Sequence, residues 1–124
     1  MRLSTRQLFV GGAIVSSAAV ALAAADAWTS TFVIDYLDND AMGTLYVVIP
    51  DGLSFNGANN PANCAGTTQA LPHSSLDTAA EKDLVASTLM FAWQAKRPVR
   101  LRLHGTDCTL GNPAYYAVSM DNDD

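Results

Sequence analysis

Few side chains in this sequence have the types and the spacing that catalysis requires. The only histidines are His73 and His104, whereas a serine or cysteine hydrolase needs a nucleophile, a general base and a third group that orients the base. His73 lies in a loop beside proline and serine residues, and we interpret it as facing solvent. Arg102, His104 and Asp107 lie within six residues, but weak ion pairs on a polar surface account for that spacing. The sequence therefore predicts no catalytic residue and a protein that is not an enzyme.

The two cysteines, Cys64 and Cys108, are too few and too isolated for a metal site. No neighbouring histidine or cysteine stands at the short spacing that would complete a tetrahedral set of ligands. No glycine-rich phosphate loop or calcium-loop spacing is present, so neither a metal nor a cofactor is expected. In an oxidising compartment the pair would form a disulfide that closes a loop of about 45 residues and contributes on the order of 4 kcal/mol. Free thiols and an intermolecular bridge are the alternatives.

The N-terminus predicts an exported protein. Arg2 and Arg6 precede an apolar run over residues 8–22, which is the pattern of a secretory signal peptide. A membrane anchor is the alternative, but the run is shorter than the roughly 20 residues that span a bilayer. Small residues allow cleavage after Ala25 or after Ala27, and the second position is preferred. The sequence thus predicts a Sec-type signal peptide over residues 1–27 and a secreted or periplasmic protein.

The charge of the exported chain argues against nucleic acid as a partner. The whole chain carries a net charge of −5, and removal of two of its seven basic and one of its twelve acidic residues makes it −6. Proteins that bind nucleic acid depend on cationic surface to release counterions. One local exception stands out, because four of the five remaining basic residues lie within positions 96–102.

That basic segment ends in a candidate ligand-binding strip. Arg100, Arg102 and His104 alternate with apolar residues, so a strand would place them on one face. Guanidinium groups can make paired hydrogen bonds to a carboxylate or a phosphate, and Tyr46, Tyr115 or Tyr116 would offer a ring on which a sugar stacks. A solvated face with aspartate partners is the alternative interpretation.

Five strands and one helix are predicted to position these side chains. The strands are expected at 29–37, 44–49, 67–71, 99–104 and 114–120, the third being the weakest, and one helix is expected between the third and the fourth. Thr78 and Glu81 match a capping box at the start of this helix, and Pro98 ends it.

The helix carries apolar residues on more than one side. Its core face is predicted to comprise Leu84, Val85, Thr88, Phe91, Ala92 and Ala95. Met90 and Trp93 lie on the other side, where a solvated helix would carry charges. They predict either contact with the long loop or a surface that binds a partner.

The order of elements fits one small domain over residues 28–124. Five strands with a helix between strands three and four are typical of the five-stranded Greek-key barrel called the OB-fold. Such a domain is mainly β, and one disulfide would staple it.

An Asn-Pro loop ends in Cys64 and is followed by the helix KDLVASTLMFAWQAKR and the strand VRLRLHGTDC. This succession resembles the secreted B subunits of subtilase-type cytotoxins. This resemblance implies an OB-fold, a homo-oligomeric ring of five subunits, binding of a cell-surface glycan and association with a catalytic A-type subunit. In such rings the helices meet the A subunit, which would involve Met90 and Trp93. The alternative is a periplasmic or secreted protein-interaction module, such as an inhibitor or envelope accessory protein, that shares the fold without lectin activity.

Overall fold

A computed structural model describes residues 25–39 and 45–120. These ranges form six strands and one α-helix, so the prediction of a mainly β fold with one helix is confirmed. The elements are β1 (Ala27–Trp28), β2 (Val33–Asn39), β3 (Tyr46–Asp51), β4 (Leu71–Pro72), α1 (Ala79–Ala95), β5 (Val99–Thr109) and β6 (Asn112–Met120), with a 3-10 turn at Gly57–Asn59. Most of the predicted signal peptide, the tip of the first turn and the acidic tail lie outside the described residues. Within these ranges no helix is long and apolar enough to cross a membrane.

The strands form two sheets. Four of them pair in the order β1-β5-β6-β4, and β2 pairs with β3. The β4–β6 pair is parallel and the other pairs are antiparallel. Isolated β-bridges join Phe32 to Val99 and Val48 to Ala70, so backbone hydrogen bonds connect the two sheets at two places. The described strands do not close into the predicted barrel by continuous pairing, since only these isolated bridges join β2 to β5 and β3 to β4.

The alternation of β5 builds the centre of the core, as predicted. Val99, Leu101 and Leu103 are all fully buried. They pack with Ile34 from β2 and Leu89 from α1 in one continuous cluster. Because successive side chains of a strand point to opposite faces, this burial leaves the residues between them on the outer face of the sheet.

The helix begins as predicted, and its core face is confirmed only at Val85 and Ala92. The hydroxyl of Thr78 accepts a hydrogen bond from the backbone N–H of Glu81 at 3.2 Å, which confirms the N-cap. The buried residues are Val85, Leu89 and Ala92. Phe91 and Leu84, both predicted to be core residues, are 53% and 70% exposed. The sequence could not settle the rotation of this helix, since its large apolar residues lie on all sides.

The disulfide between Cys64 and Cys108 is confirmed. It joins the irregular segment after β3 to the far end of β5. Asn60 supports the first cysteine from both sides, because its side-chain oxygen accepts the N–H of Cys64 and its amide donates to the carbonyl of Cys64, each at 2.9 Å. The bridge therefore anchors the long loop beside the segment that carries the candidate site.

Candidate functional site

A bulge in β6 decides which tyrosine reaches the surface. Arg102 pairs with Ala117 and Leu103 with Tyr115, so Tyr116 is the extra residue between two successive pairs. As a result Tyr115 points into the core, where it is fully buried, and its hydroxyl donates to the carbonyl of Tyr46 at 2.6 Å. The prediction that Tyr115 binds a ligand is therefore wrong, and Tyr116 takes the outer face instead.

The outer face of β1, β5 and β6 gathers most of the predicted ligand-binding residues. Trp28 lies directly opposite Arg102 in the β1–β5 pair. The guanidinium carbons of Arg100 and Arg102 lie 5.4 and 5.7 Å from the centroid of the Trp28 ring, within the range of cation–π attraction. We call Trp28, Arg100, Arg102 and Tyr116 the ligand face.

A chain of hydrogen bonds fixes one end of the ligand face. Arg102 donates from Nε to the hydroxyl of Tyr116 at 2.8 Å, and that hydroxyl donates to Asp26 at 2.6 Å. The other carboxylate oxygen of Asp26 accepts the N–H of Gly105 at 2.7 Å. The bond from Tyr116, followed by that from Gly105, holds the pKa of Asp26 below its ordinary value. Burial, followed by the bond to Asp26, raises the pKa of the Tyr116 hydroxyl. Asp26 is therefore an ionised acceptor at neutral pH.

A second irregularity of β5 brings the two histidines together. Leu103 pairs with Tyr115, and the next pair is Cys108 with Pro113. Five positions of β5 thus match two positions of β6, so β5 has three extra residues in this stretch. The extra residues carry His104 and Asp107 outward to meet His73, whose backbone N–H donates to the carbonyl of Tyr115 at 2.7 Å.

His73 is therefore part of a cluster and does not face solvent as predicted. Its side chain is only 11% exposed, and its Nε2 lies 2.9 Å from a carboxylate oxygen of Asp107. Its ring stacks on that of His104 with the centroids 4.3 Å apart and the planes 6° from parallel. The hydrogen bond from His73 is the main reason that the pKa of Asp107 is lowered.

Backbone donors determine which nitrogen of each histidine carries the proton. Nδ1 of His73 accepts the N–H of Ser75 at 3.1 Å, and Nδ1 of His104 accepts the N–H groups of Thr106 and Asp107 at 3.2 and 2.9 Å. A nitrogen that accepts an N–H has its lone pair free and carries no hydrogen. Both rings are therefore neutral with the proton on Nε2, and His73 donates to Asp107.

The same tautomers weigh against a metal ion in this arrangement. His73, His104 and Asp107 bring one possible ligand atom each to within 4.8 Å of one another. A histidine that binds a metal through Nε2 keeps its proton on Nδ1 and donates it to an acceptor. Here each Nδ1 meets N–H groups, so a metal would have to break those hydrogen bonds. The cluster is better described as a hydrogen-bonded network that shapes residues 104–107.

One part of the network has the polarity of a general-base pair. The hydroxyl of Ser75 lies 2.9 Å from Nδ1 of His73, whose opposite nitrogen donates to Asp107. That arrangement could take a proton from Ser75. Ser75, however, is exposed and does not lie in a pocket that could hold a substrate. It lines none of three surface cavities of about 140, 320 and 420 Å³, whereas His73 lines the smallest of them.

Comparison with protein-family models, curated proteins and solved structures finds no match for this chain.

The predicted partner residues of the helix lie apart from the ligand face. Trp93 is half-buried and donates from its indole nitrogen to the carbonyl of Asp35 at 3.1 Å, with Tyr36 packed edge-on against its ring. Met90 lines a shallow cavity of about 420 Å³ together with Phe91. The larger exposed apolar side chains of the helix are Phe91 and Leu84.

Sequence reasoning located Arg100, Arg102 and His104 but missed Trp28 and Asp26 as their neighbours. Both lie more than 70 positions before the strand that they contact. No local pattern links such distant positions. Asp26 moreover falls within residues 1–27, for which the sequence predicts a signal peptide.

Proposed function

We propose that this chain is a secreted, non-enzymatic binding protein whose ligand is a carbohydrate, as the resemblance to toxin B subunits implies. The observation that carries the proposal is the ligand face, where an indole and a phenol lie beside two guanidinium groups on a rigid antiparallel sheet. Aromatic rings supply an apolar surface together with a polar edge, which suits a sugar ring. Binding residues held on strands keep their geometry better than residues in loops.

The strand neighbours support an OB-like assignment of the fold. If the two isolated bridges are counted, the neighbours run β2-β3-β4-β6-β5 and return to β2. An OB-fold has this order, with its third and fifth strands parallel, as β4 and β6 are here. The helix also falls between the third and fourth strands of that series. Arg100, Arg102 and Tyr116 of the ligand face lie on β5 and β6, which are the fourth and fifth strands of that series. OB-folds commonly bind ligands over their second and third strands.

A glycan array tests the proposal. The protein should bind a restricted set of sugars, and Trp28→Ala should abolish that binding. Phe91→Ala is the matched control, because it removes another exposed aromatic ring at a distance from the ligand face. Absence of binding to any sugar by the folded protein would contradict the proposal.

Assembly is a separate part of the proposal and has its own test. The resemblance implies a homo-pentamer that associates with a catalytic A-type subunit. Native mass spectrometry should then show five chains per particle. A monomer at micromolar concentration would contradict the ring.

A protein-interaction module, such as an inhibitor or an envelope accessory protein, is the second candidate. It is favoured by one observation, the exposure of Leu84 and Phe91 on the same helix. Large apolar side chains exposed side by side often mark protein contacts. Under this alternative, Phe91→Ser would abolish binding to the partner protein and leave any sugar binding intact.

A further inference from the structure

We propose that Arg100 and Arg102 form a binding site for a single anionic group, a carboxylate, sulfate or phosphate, on the ligand face. The inference deepens the proposed function, on which it rests in so far as the anion belongs to a glycan. It defines the class of ligand and the roles of the individual residues.

Neither guanidinium forms an ion pair with any residue that the structure describes. In the described part of the chain, the ion pairs within 4.0 Å both join a histidine to Asp107. Arg100 is exposed and Arg102 partly exposed, in a protein whose overall charge is negative. Acidic side chains are thus abundant, yet within residues 25–39 and 45–120 none forms an ion pair with either group. Both charges lie on the same side of β5, so an incoming anion would be attracted by each of them.

Trp28 contacts both arginine side chains. Both guanidinium carbons lie within 5.7 Å of its ring centroid. The attraction between a cation and the face of an indole restrains side chains that would otherwise sample many rotamers. Binding then costs less conformational entropy, because part of the ordering precedes the ligand.

The hydrogen-bond chain at Tyr116 orients one guanidinium and leaves its outer nitrogens available. Arg102 uses Nε to reach Tyr116, and Asp26 accepts from Tyr116 and Gly105 instead of from the arginine. The two terminal nitrogens of Arg102 thus remain available to an anion. Arginine binds oxyanions through pairs of parallel N–H groups. Tyr116 and Asp26 are positioning residues in this site, and Arg100 and Arg102 are the groups that contact the anion.

The charges predict unequal contributions from the two arginines. Asp26 is ionised and is joined to Arg102 through the hydroxyl of Tyr116. It therefore offsets part of the positive charge at Arg102. Arg100 has no such neighbour among the described residues. Loss of Arg100 should consequently weaken binding more than loss of Arg102.

Titration by two-dimensional NMR tests the proposal with three probes: inorganic phosphate, a sulfated oligosaccharide and an oligosaccharide of carboxylate sugars. At least one should shift the backbone signals of residues 28 and 100–102. R100Q should weaken binding about tenfold or more, and R102Q several-fold, as for charge-assisted contacts that are lost. K96N is the control, because it removes one charge at a helix end with a left-handed backbone (φ 57°), which asparagine tolerates.

The outcomes separate this inference from the proposed function. Binding of a neutral glycan on the ligand face that R100Q leaves unchanged would overturn the anion site and keep the lectin. Binding of phosphate that depends on Arg100, together with an array on which no sugar binds, would keep the anion site and overturn the lectin. If no probe shifts any of these signals in the folded protein, the anion site is wrong. Equal weakening by K96N and R100Q would also overturn it, since the effect would then be general electrostatics.

Discussion

His73 donates a hydrogen bond of 2.9 Å to the carboxylate of Asp107, although 34 positions separate the two residues. The contact joins the segment after β4 to the irregular part of β5. It thus adds a second link to the same end of β5 as the disulfide, which joins Cys108 to Cys64 in the segment before β4.

This contact predicts the titration of Asp107. The hydrogen bond from His73 lowers the pKa of Asp107, so His73→Gln should raise that pKa toward the ordinary value. A lowered carboxyl pKa stabilises the folded state above the unfolded value, and the gain is lost as the pH falls through the folded one. NMR titration of the Asp107 carboxyl group measures the change. Ser75→Ala is the control, because it leaves the bond to Asp107 in place, and an unchanged pKa in His73→Gln would refute the role of the bond.

The disulfide should contribute strongly to stability. Removal of the bridge between Cys64 and Cys108 releases a long loop in the unfolded chain, and stabilisation by such bridges is typically about 2 to 4 kcal/mol. Urea denaturation with and without reductant measures this difference. The double variant with serine at both positions should show no response to reductant. Two free thiols in the unreduced protein, detected by alkylation, would contradict the bridge.

Adjacent tyrosines should behave oppositely. Tyr115→Phe leaves the carbonyl of Tyr46 without its 2.6 Å hydrogen bond in the core, which should cost about 1 to 2 kcal/mol of unfolding free energy. Tyr116→Phe should change stability little but release Arg102 and Asp26. Denaturation and ligand titration of both variants distinguish these effects. A Tyr115→Phe variant of full stability with weakened ligand binding would argue against the observed bulge.

The orientation of the helix can be tested by paired substitutions. Phe91 is half exposed, whereas Leu89 is fully buried. Leu89→Ala should therefore cost about 2 to 5 kcal/mol, and Phe91→Ala less than about 1 kcal/mol. Chemical denaturation gives both values. A larger cost for Phe91→Ala than for Leu89→Ala would support the helix face that the sequence alone predicted.

The hydrogen bonds of Asp26 favour one of the two cleavage positions. Cleavage after Ala25 would keep Asp26 and the β1–β5 pairing, whereas cleavage after Ala27 would remove the acceptor of Tyr116 and Gly105. If the proposed signal peptide is present and removed, we expect the mature chain to begin at Asp26. Intact mass spectrometry of protein recovered after export distinguishes the two ends. A chain that begins at Trp28 would contradict the role of Asp26 in positioning Tyr116.

Local signals predicted the elements better than the contacts between them. The capping box at Thr78 and the alternation around Leu101 are short-range patterns, and both elements formed as expected. The bulge at Tyr116 breaks the two-residue period by one position, which reverses the direction of the neighbouring side chains without any signal in composition. His73 was misjudged for a related reason, because its partner is brought by an irregularity in a distant strand.

The bridge between Phe32 and Val99 also bears on the order in which the protein can fold. The N-terminal strands leave the ribosome, and cross any membrane, well before the strand with which they must pair. Contacts between residues so far apart in the chain slow folding, since the intervening segment must be ordered first. Until residues 99–120 have emerged, the β2–β3 hairpin exposes unpaired strand edges that can recruit other chains. A nascent chain of this protein should therefore depend on chaperones until its last two strands arrive.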